Sequence, residues 1–355
     1  MLLAVAWVPW SAQLPRKKAA PITAQRATSV FIFFSARSIR SEPILTFRLL
    51  PNNTSGKRQA LPSVRLTNRF RAGNEKDFEA PNPMSNLDRD IIFDGSIPKL
   101  YEKYFVPMVF EPYAADLVSR LPQESLSHVL EVAAGTGVVT RALASALSEN
   151  VTIVATDLNE GMVEQAKSVG TRRPVEWRQA DVVALPFPDG TFDAVLCQFG
   201  VMFFPDKPRA FAEVRRVLRP GGLFLFNVWD RIEKNEFAHT VTSALEAFFP
   251  NDPPHYHARI PHGYWSRDMI EHDLVAGGFT ATPEFTTVTK QSHTLWARSA
   301  AMAYCQGTPL RSEIEARDPS LLSDATIAAS DALTQRFGPR DITGKTQAHV
   351  IAVRK

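Results

Sequence analysis

From Met84 onward the apolar positions of this chain switch repeatedly between two spacings. After "FDGSIPKLYEKYFVPMVFEPYAADLVSRL", whose second half sets Tyr113, Leu117 and Leu121 on one helical face, comes the short apolar run "HVLEVA". A run of that length predicts a buried strand. Helical spacing resumes in "VVTRALASAL", "VTIVATD" predicts a second strand rich in β-branched residues, and "EGMVEQAKSVG" predicts a helix ending at Gly170. "VEWRQAD" and "FDAVLCQF" predict two further strands, "KPRAFAEVRRVL" a helix, and "GGLFLFNVW" a fifth strand after Pro220, Gly221 and Gly222. Strands alternating with helices at this spacing predict an α/β fold with a parallel, doubly wound sheet, whose loops after the strands share one edge. Ligands in such folds bind there.

Beyond Trp229 the rhythm loosens. "NEFAHTVTSALEAFF" predicts a helix, "PNDPPHYHARIPHGYW" a loop, and "SRDMIEHDLVAGG" a helix with a Ser cap. "SAAMAYCQGTPLRSEIEARDP" and "LSDATIAASDALTQRFG" predict more helices, and "FTTVTK" and "QAHVIAVRK" two late strands.

Charge divides the 355 residues unevenly. Residues 1–83 hold 13 of the 40 Lys and Arg but only 4 of the 37 Asp and Glu, which leaves 27 against 33 from Met84 onward, a net of −6. A body of that sign, with no basic stripe, argues against a nucleic-acid partner. The runs "LLAVAWVPW" and "SVFIFF" in the N-terminal segment are too short to span a bilayer, so no stable membrane insertion is expected. Broken by Pro15, Pro21, Pro43, Pro51 and Pro62, residues 1–83 read as a disordered or non-native extension, with an internal start at Met84 as the simplest account. An intact mass beginning well before Met84 would exclude that start. The two cysteines, Cys197 and Cys305, lie far apart with no CxxC pair. Neither a disulfide framework nor a metal site is suggested, and a reducing, cytoplasmic setting is expected.

The candidate chemistry centres on "VLEVAAGTGVVTRAL". Small residues between a strand and a helix N-terminus let a ligand approach the backbone. A dinucleotide loop wants a third glycine, but Thr140 follows Gly135 and Gly137 at that position. Asp157 ends the second strand 20 residues after Gly137, where an acid binds ribose hydroxyls of any adenosine ligand. Glu131, inside the first strand, favours a ligand bearing positive charge over a pyrophosphate. Blander readings stay open: Glu131 paired with a buried Arg, Asp157 as a helix-start residue, Cys197 as a core residue, and Met202, Phe203 and Phe204 as core rather than the lining of an apolar pocket.

"LEVAAGTGVVTRAL" resembles the first motif of class I S-adenosylmethionine-dependent methyltransferases. "ATDLNEGMVEQA", "QADVVALPFPDGTFDAVLCQFGVMFF" and "FAEVRRVLRPGGLFLFNVW" resemble the next three in their usual order, closest to the type 11, ubiquinone/menaquinone-biosynthesis-like branch. "FDGSIPKLYEKYFVPMVFEPYAADL" and "CQGTPLRSEIEAR" also resemble bacterial members. The resemblance implies a Rossmann-like, seven-stranded, mostly parallel sheet with helices on both faces and a helical substrate-side insertion. It further implies a methyltransferase domain over residues 84–355, with a cofactor core at 126–230 and a substrate-shaping and C-terminal sheet region at 231–355.

By the same resemblance Glu131, Ala133, Gly135 and Gly137 surround the methionine part of S-adenosylmethionine, and Asp157 holds its ribose. Leu158 and Met162 flank the adenine, Asp181 and Val182 border it, and Gln198 lies near the reacting methyl. Tyr101 and Tyr104 help to lid the pocket. The cofactor carries its own leaving group, so no fixed catalytic set is required, and the expected reaction is methyl transfer to a small, partly apolar or aromatic molecule. His255, His257 and His262 are candidate bases if the nucleophile is a hydroxyl, against a structural role for the same loop histidines. The competing functions are an NAD(P)-dependent oxidoreductase and a non-catalytic cofactor-binding protein.

Overall fold

The computed structural model describes residues 90–93 and 95–355. The chain divides between Lys76 and Asp77, and every described residue belongs to the part that follows. The expected extension at 1–83 and the start at Met84 lie outside the described residues.

Seven strands form one sheet in the order β3-β2-β1-β4-β5-β7-β6. They are β1 His128–Val132, β2 Thr152–Asp157, β3 Glu176–Gln179, β4 Phe192–Gln198, β5 Leu218–Trp229, β6 Glu284–Trp296 and β7 Arg340–Arg354. The first five run parallel, whereas β7 lies antiparallel between β5 and β6. The expected seven-stranded, mostly parallel sheet is therefore present. Val129, Leu130, Val195, Leu196, Phe224 and Leu225 are fully buried, as parallel strands covered on both faces require.

The late strands are longer than the apolar pattern implied. β6 is an edge strand whose residues are mostly exposed or half-buried, so its register comes from pairing with β7 along residues 284–296 rather than from a buried face. Inside the segment read as a loop, a single helical turn forms at Tyr256–Arg259 and both Tyr256 and His257 become buried. Arg259 draws that turn onto the rest of the fold through Asp90 and Glu313. Ser266 occupies the predicted cap position but its side chain makes no capping bond.

Ahead of β1 the chain coils through α1 Ile97–Leu100, a wide-turned π-helical stretch Tyr101–Phe110 and α2 Glu111–Ser119. Pro107, which has no N–H to donate, sits inside the wide stretch, and the Glu111 N–H reaches back five residues to Val106. Tyr113 ties this helix to the sheet, donating toward Thr346 at 3.2 Å and the Val288 carbonyl at 3.4 Å. Among the described residues no helix is long and apolar enough to cross a membrane.

Candidate active site

The strand order reverses between β1 and β4, and the turns leaving these two strands meet at their carboxyl ends. Both turns are strained. Ala133 has φ 52° and Phe199 φ 51°, a left-handed backbone that non-glycine residues adopt only where surrounding structure enforces it. A Cβ on Gly200 would lie 2.5 Å from the Ala133 Cβ and 2.7 Å from the Cys197 sulfur, so the two turns pack together only through glycine. Asn227 of β5 supports the second turn, accepting from the Phe199 N–H at 2.9 Å.

The glycine turn after β1 is fastened to β2. The Asp157 carboxylate accepts from the Gly135 N–H and from the Asn159 N–H, each at 2.8 Å, while the Ala134 N–H donates to the Thr156 carbonyl at 2.9 Å. Asp157 thus shapes the turn, and its Oδ1 also takes the Asn159 side-chain amide at 3.5 Å. Burial raises its pKa. Asn159 in turn clasps the approach segment, accepting from the Phe93 N–H at 3.2 Å and donating to the Ile91 carbonyl at 3.1 Å.

Glu131 lies beneath the turn, 1% exposed. Its partner is the Thr140 hydroxyl, which donates at 2.5 Å, so the residue standing where a dinucleotide loop wants glycine holds the buried acid instead. Among the described residues no Arg hydrogen-bonds to Glu131; Arg141 favours its ionised form only through space, binding Glu102 at 2.9 Å and the Thr136 carbonyl at 2.7 Å. Burial pushes the Glu131 carboxyl up to about 8, against the smaller lowering effect of Thr140.

Over these turns opens a cleft. Of the sequence-predicted cofactor residues, Ala133, Gly135, Asp157, Leu158, Met162, Asp181, Val182 and Gln198 line it. Glu131 and Gly137 are not on its wall. Gly137 starts α3 Val138–Ala146 at φ 85°, where a Cβ would lie 2.7 Å from the Trp177 ring, so packing against β3 demands this glycine. A Cβ on Gly135, by contrast, meets nothing within 4 Å. Met162 belongs to α4 Glu160–Val169, and Asp181 caps the turn at Val182–Ala184 by accepting from the Val183 N–H at 3.0 Å. Gln198 donates to the Phe110 carbonyl at 3.3 Å, while its buried Oε1 has no protein partner.

Sequence reasoning missed Asn159, Phe93 and Phe199. The first follows Asp157 in the recognised motif and was open to detection, whereas the two rings become wall residues only through packing.

A second chamber lies beside the cleft, and Phe93, Tyr101, Phe199 and Phe203 line both. Phe199 stacks on Trp229 with ring centroids 3.6 Å apart, and Tyr101 stacks on Phe110 at 5.1 Å. Residues from three distant parts of the chain close this chamber: Phe105 and Phe110 from the wide-turned helix, Trp229 from β5, and Tyr256, His257, His262 and Tyr304 from the C-terminal third. Tyr101 thus sits on the shared wall, whereas Tyr104 lines neither space. Phe203 serves the pockets and Phe204 the cleft; Met202 is core, as is Cys197, whose thiol is raised by burial. His255 is exposed and lines neither space. No group of three or more metal-ligating side chains occurs among the described residues.

Residues 130–226 match the model of a methyltransferase domain. Over 101 residues the chain is 40% identical to the ubiquinone/menaquinone biosynthesis C-methyltransferase UbiE of Escherichia coli (strain K12 / DH10B), a match covering 27% of this chain and 40% of that protein. The same figures hold for UbiE of Shigella boydii serotype 18. The segment carrying the glycine turn is similar to the methyltransferase domains of that family. The chain spans about two fifths of the length of those relatives. Among solved structures, a putative methyltransferase from Bacillus halodurans is 22% identical, with a TM-score of 0.45, over 68% of this chain and 98% of that one. Phosphoethanolamine N-methyltransferase 2 from Haemonchus contortus, solved with phosphomonomethylethanolamine and S-adenosylhomocysteine, is 16% identical, with a TM-score of 0.49, over 78% of this chain and 62% of that one.

Proposed function

We propose that the protein transfers a methyl group from S-adenosylmethionine to a small, neutral, largely apolar or aromatic molecule. The observation that carries this reading is the pair of adjoining spaces at the switch point, one polar-edged cleft and one aromatic chamber, with Phe93, Tyr101, Phe199 and Phe203 common to both.

The cleft suits the cofactor. The open side of Gly135 leaves room for close approach, Asp157 retains acceptor capacity for a ribose diol, and the orphaned Gln198 Oε1 awaits a donor such as an ammonium group. Leu158, Met162 and Val182 offer an apolar slot for a flat base beside the Asp181 carboxylate. Glu131, behind the turn, supplies a site whose ionised form a nearby cation would favour. S-adenosylmethionine brings an activated methyl group with a neutral thioether as leaving group. The chain's own task is then to orient the acceptor and keep water out, which the stacked wall rings serve.

Among the described residues no Asp, Glu, Lys or Arg lines the second chamber, which favours an uncharged acceptor. The UbiE relatives match over 101 residues, two fifths of their length, so their acceptor is not carried over to this chain. Calorimetry with S-adenosylhomocysteine and with NAD(P) tests the cofactor, and label transfer from methyl-tritiated S-adenosylmethionine into a metabolite extract tests the reaction. Binding of NAD(P) alone would overturn the reading, and tight cofactor binding without labelled product across broad extracts would favour a non-catalytic protein.

A further inference from the structure

His257 is 4% exposed and lines the aromatic chamber. Its ring lies against Tyr304, whose backbone carbonyl favours a proton on the imidazole, while among the described residues its Nε2 is buried without a partner. With the ring proton on Nδ1, the form the Tyr304 carbonyl favours, Nε2 is left as a lone pair. His262, in the same chamber, has its Nδ1 2.8 Å from the Asp230 carbonyl, which assigns it the same tautomer. Burial, reinforced by His262, holds the His257 ring down to about 3, and burial holds His262 near 4, so both are neutral.

The other polar groups of the chamber leave this lone pair unmatched. Asn235 spends its amide on the Asp230, Arg231 and Gln347 carbonyls and accepts the Gln347 N–H. Thr308 donates to the Tyr304 carbonyl at 2.7 Å and accepts from the Leu310 N–H. Thr346 takes the Tyr113 hydroxyl at 3.2 Å and donates to the Lys290 carbonyl. Tyr101, Tyr256 and Tyr304 are raised by burial and stay uncharged. A lone pair held dry in an apolar chamber is unfavourable until a donor reaches it.

We propose that His257 is a specificity-determining residue whose Nε2 accepts a hydrogen bond from a hydroxyl or N–H group of the methyl acceptor, selecting a neutral, donor-bearing ring over a hydrocarbon of the same shape. The proposal rests on the reading of the chamber as the acceptor site. So weak a base does not remove protons at neutral pH; it recognises the donor and orients the ring.

The test uses the full chain loaded with S-adenosylhomocysteine and two isosteric probe pairs, phenol against toluene and hydroquinone against p-xylene, with affinities from ligand-observed NMR titration. A purely apolar chamber prefers the hydrocarbons because nothing repays desolvation of the hydroxyl. An accepting Nε2 reverses that order, with the better phenol binding at least about tenfold tighter than its hydrocarbon. His257→Phe is expected to restore the hydrocarbon preference, and His257→Gln, which keeps an acceptor, to recover much of the phenol preference. Equal affinities, a hydrocarbon preference or no phenol binding by the loaded wild-type protein would overturn the proposal without any variant. Failure to bind S-adenosylhomocysteine in the first place would instead overturn the functional reading beneath it.

Discussion

Gly135→Val directs a branched side chain into the cleft at the point where the backbone is most open. The fold has room for it, since the built Cβ meets nothing within 4 Å, and the main structural penalty is the left-handed backbone at φ 56°. That penalty is about 1–3 kcal/mol, which lowers the melting temperature by roughly 2–4 °C per kcal/mol in a domain of this size. Cofactor affinity should suffer far more, because Gly135 lines the cleft and its N–H is already committed to Asp157. A loss of at least about 100-fold is expected, equivalent to about 2.7 kcal/mol. Gly137→Ala provides the contrast: its Cβ would press on the Trp177 ring at 2.7 Å with φ 85°, so overpacking adds about 1–3 kcal/mol to the backbone strain. Stability should fall more there than at Gly135. Calorimetry with S-adenosylhomocysteine beside thermal unfolding separates the two effects. A folded Gly135→Val protein binding within threefold of wild type would refute the assignment of this turn as the cofactor cradle.

Asp157→Ala removes the acceptor of two backbone N–H groups as well as that for the ribose, so titration should register at least about a 100-fold loss of cofactor affinity; wild-type affinity would sink the proposed role. For Glu131, the folded pKa near 8 exceeds the ordinary 4.5, so the folded state binds more protons between those values and stability falls as pH rises through that window. Glu131→Gln should flatten the pH profile of denaturant midpoints there; an unchanged slope would contradict it. Asn227→Ala removes the side-chain acceptor of the Phe199 N–H, which keeps the Asn227 carbonyl at 3.2 Å, and should cost about 0.5–1.5 kcal/mol in urea unfolding, with an unaltered midpoint counting against that support.

The order of strands and helices through Trp229 was legible because each element is written locally, as a spacing of apolar residues closed by glycine, proline or a capping acid. The glycine turn was legible for the same reason, and eight of the ten residues expected around the cofactor line one cleft. Glu131 and Gly137 show the limit of that reading. Both belong to the motif, yet one is bound by Thr140 behind the cleft and the other is required by Trp177, a partner 40 residues away. β6 and β7 were seen only in part, because an exposed edge strand lacks the buried face that gives alternation its meaning.

Local spacing and glycine chemistry by themselves determined the parallel sheet and the switch-point position of the cleft, while the kind of ligand came from the resemblance of the four motifs to a family. Tertiary structure alone decided the aromatic chamber, whose walls come from residues as far apart as Phe93 and Thr346. It also decided the left-handed Phe199 on the shared wall and the unpaired nitrogen of His257. None of these is a property of a residue type. A positive φ in phenylalanine, or a dry lone pair in histidine, exists only where distant packing enforces it.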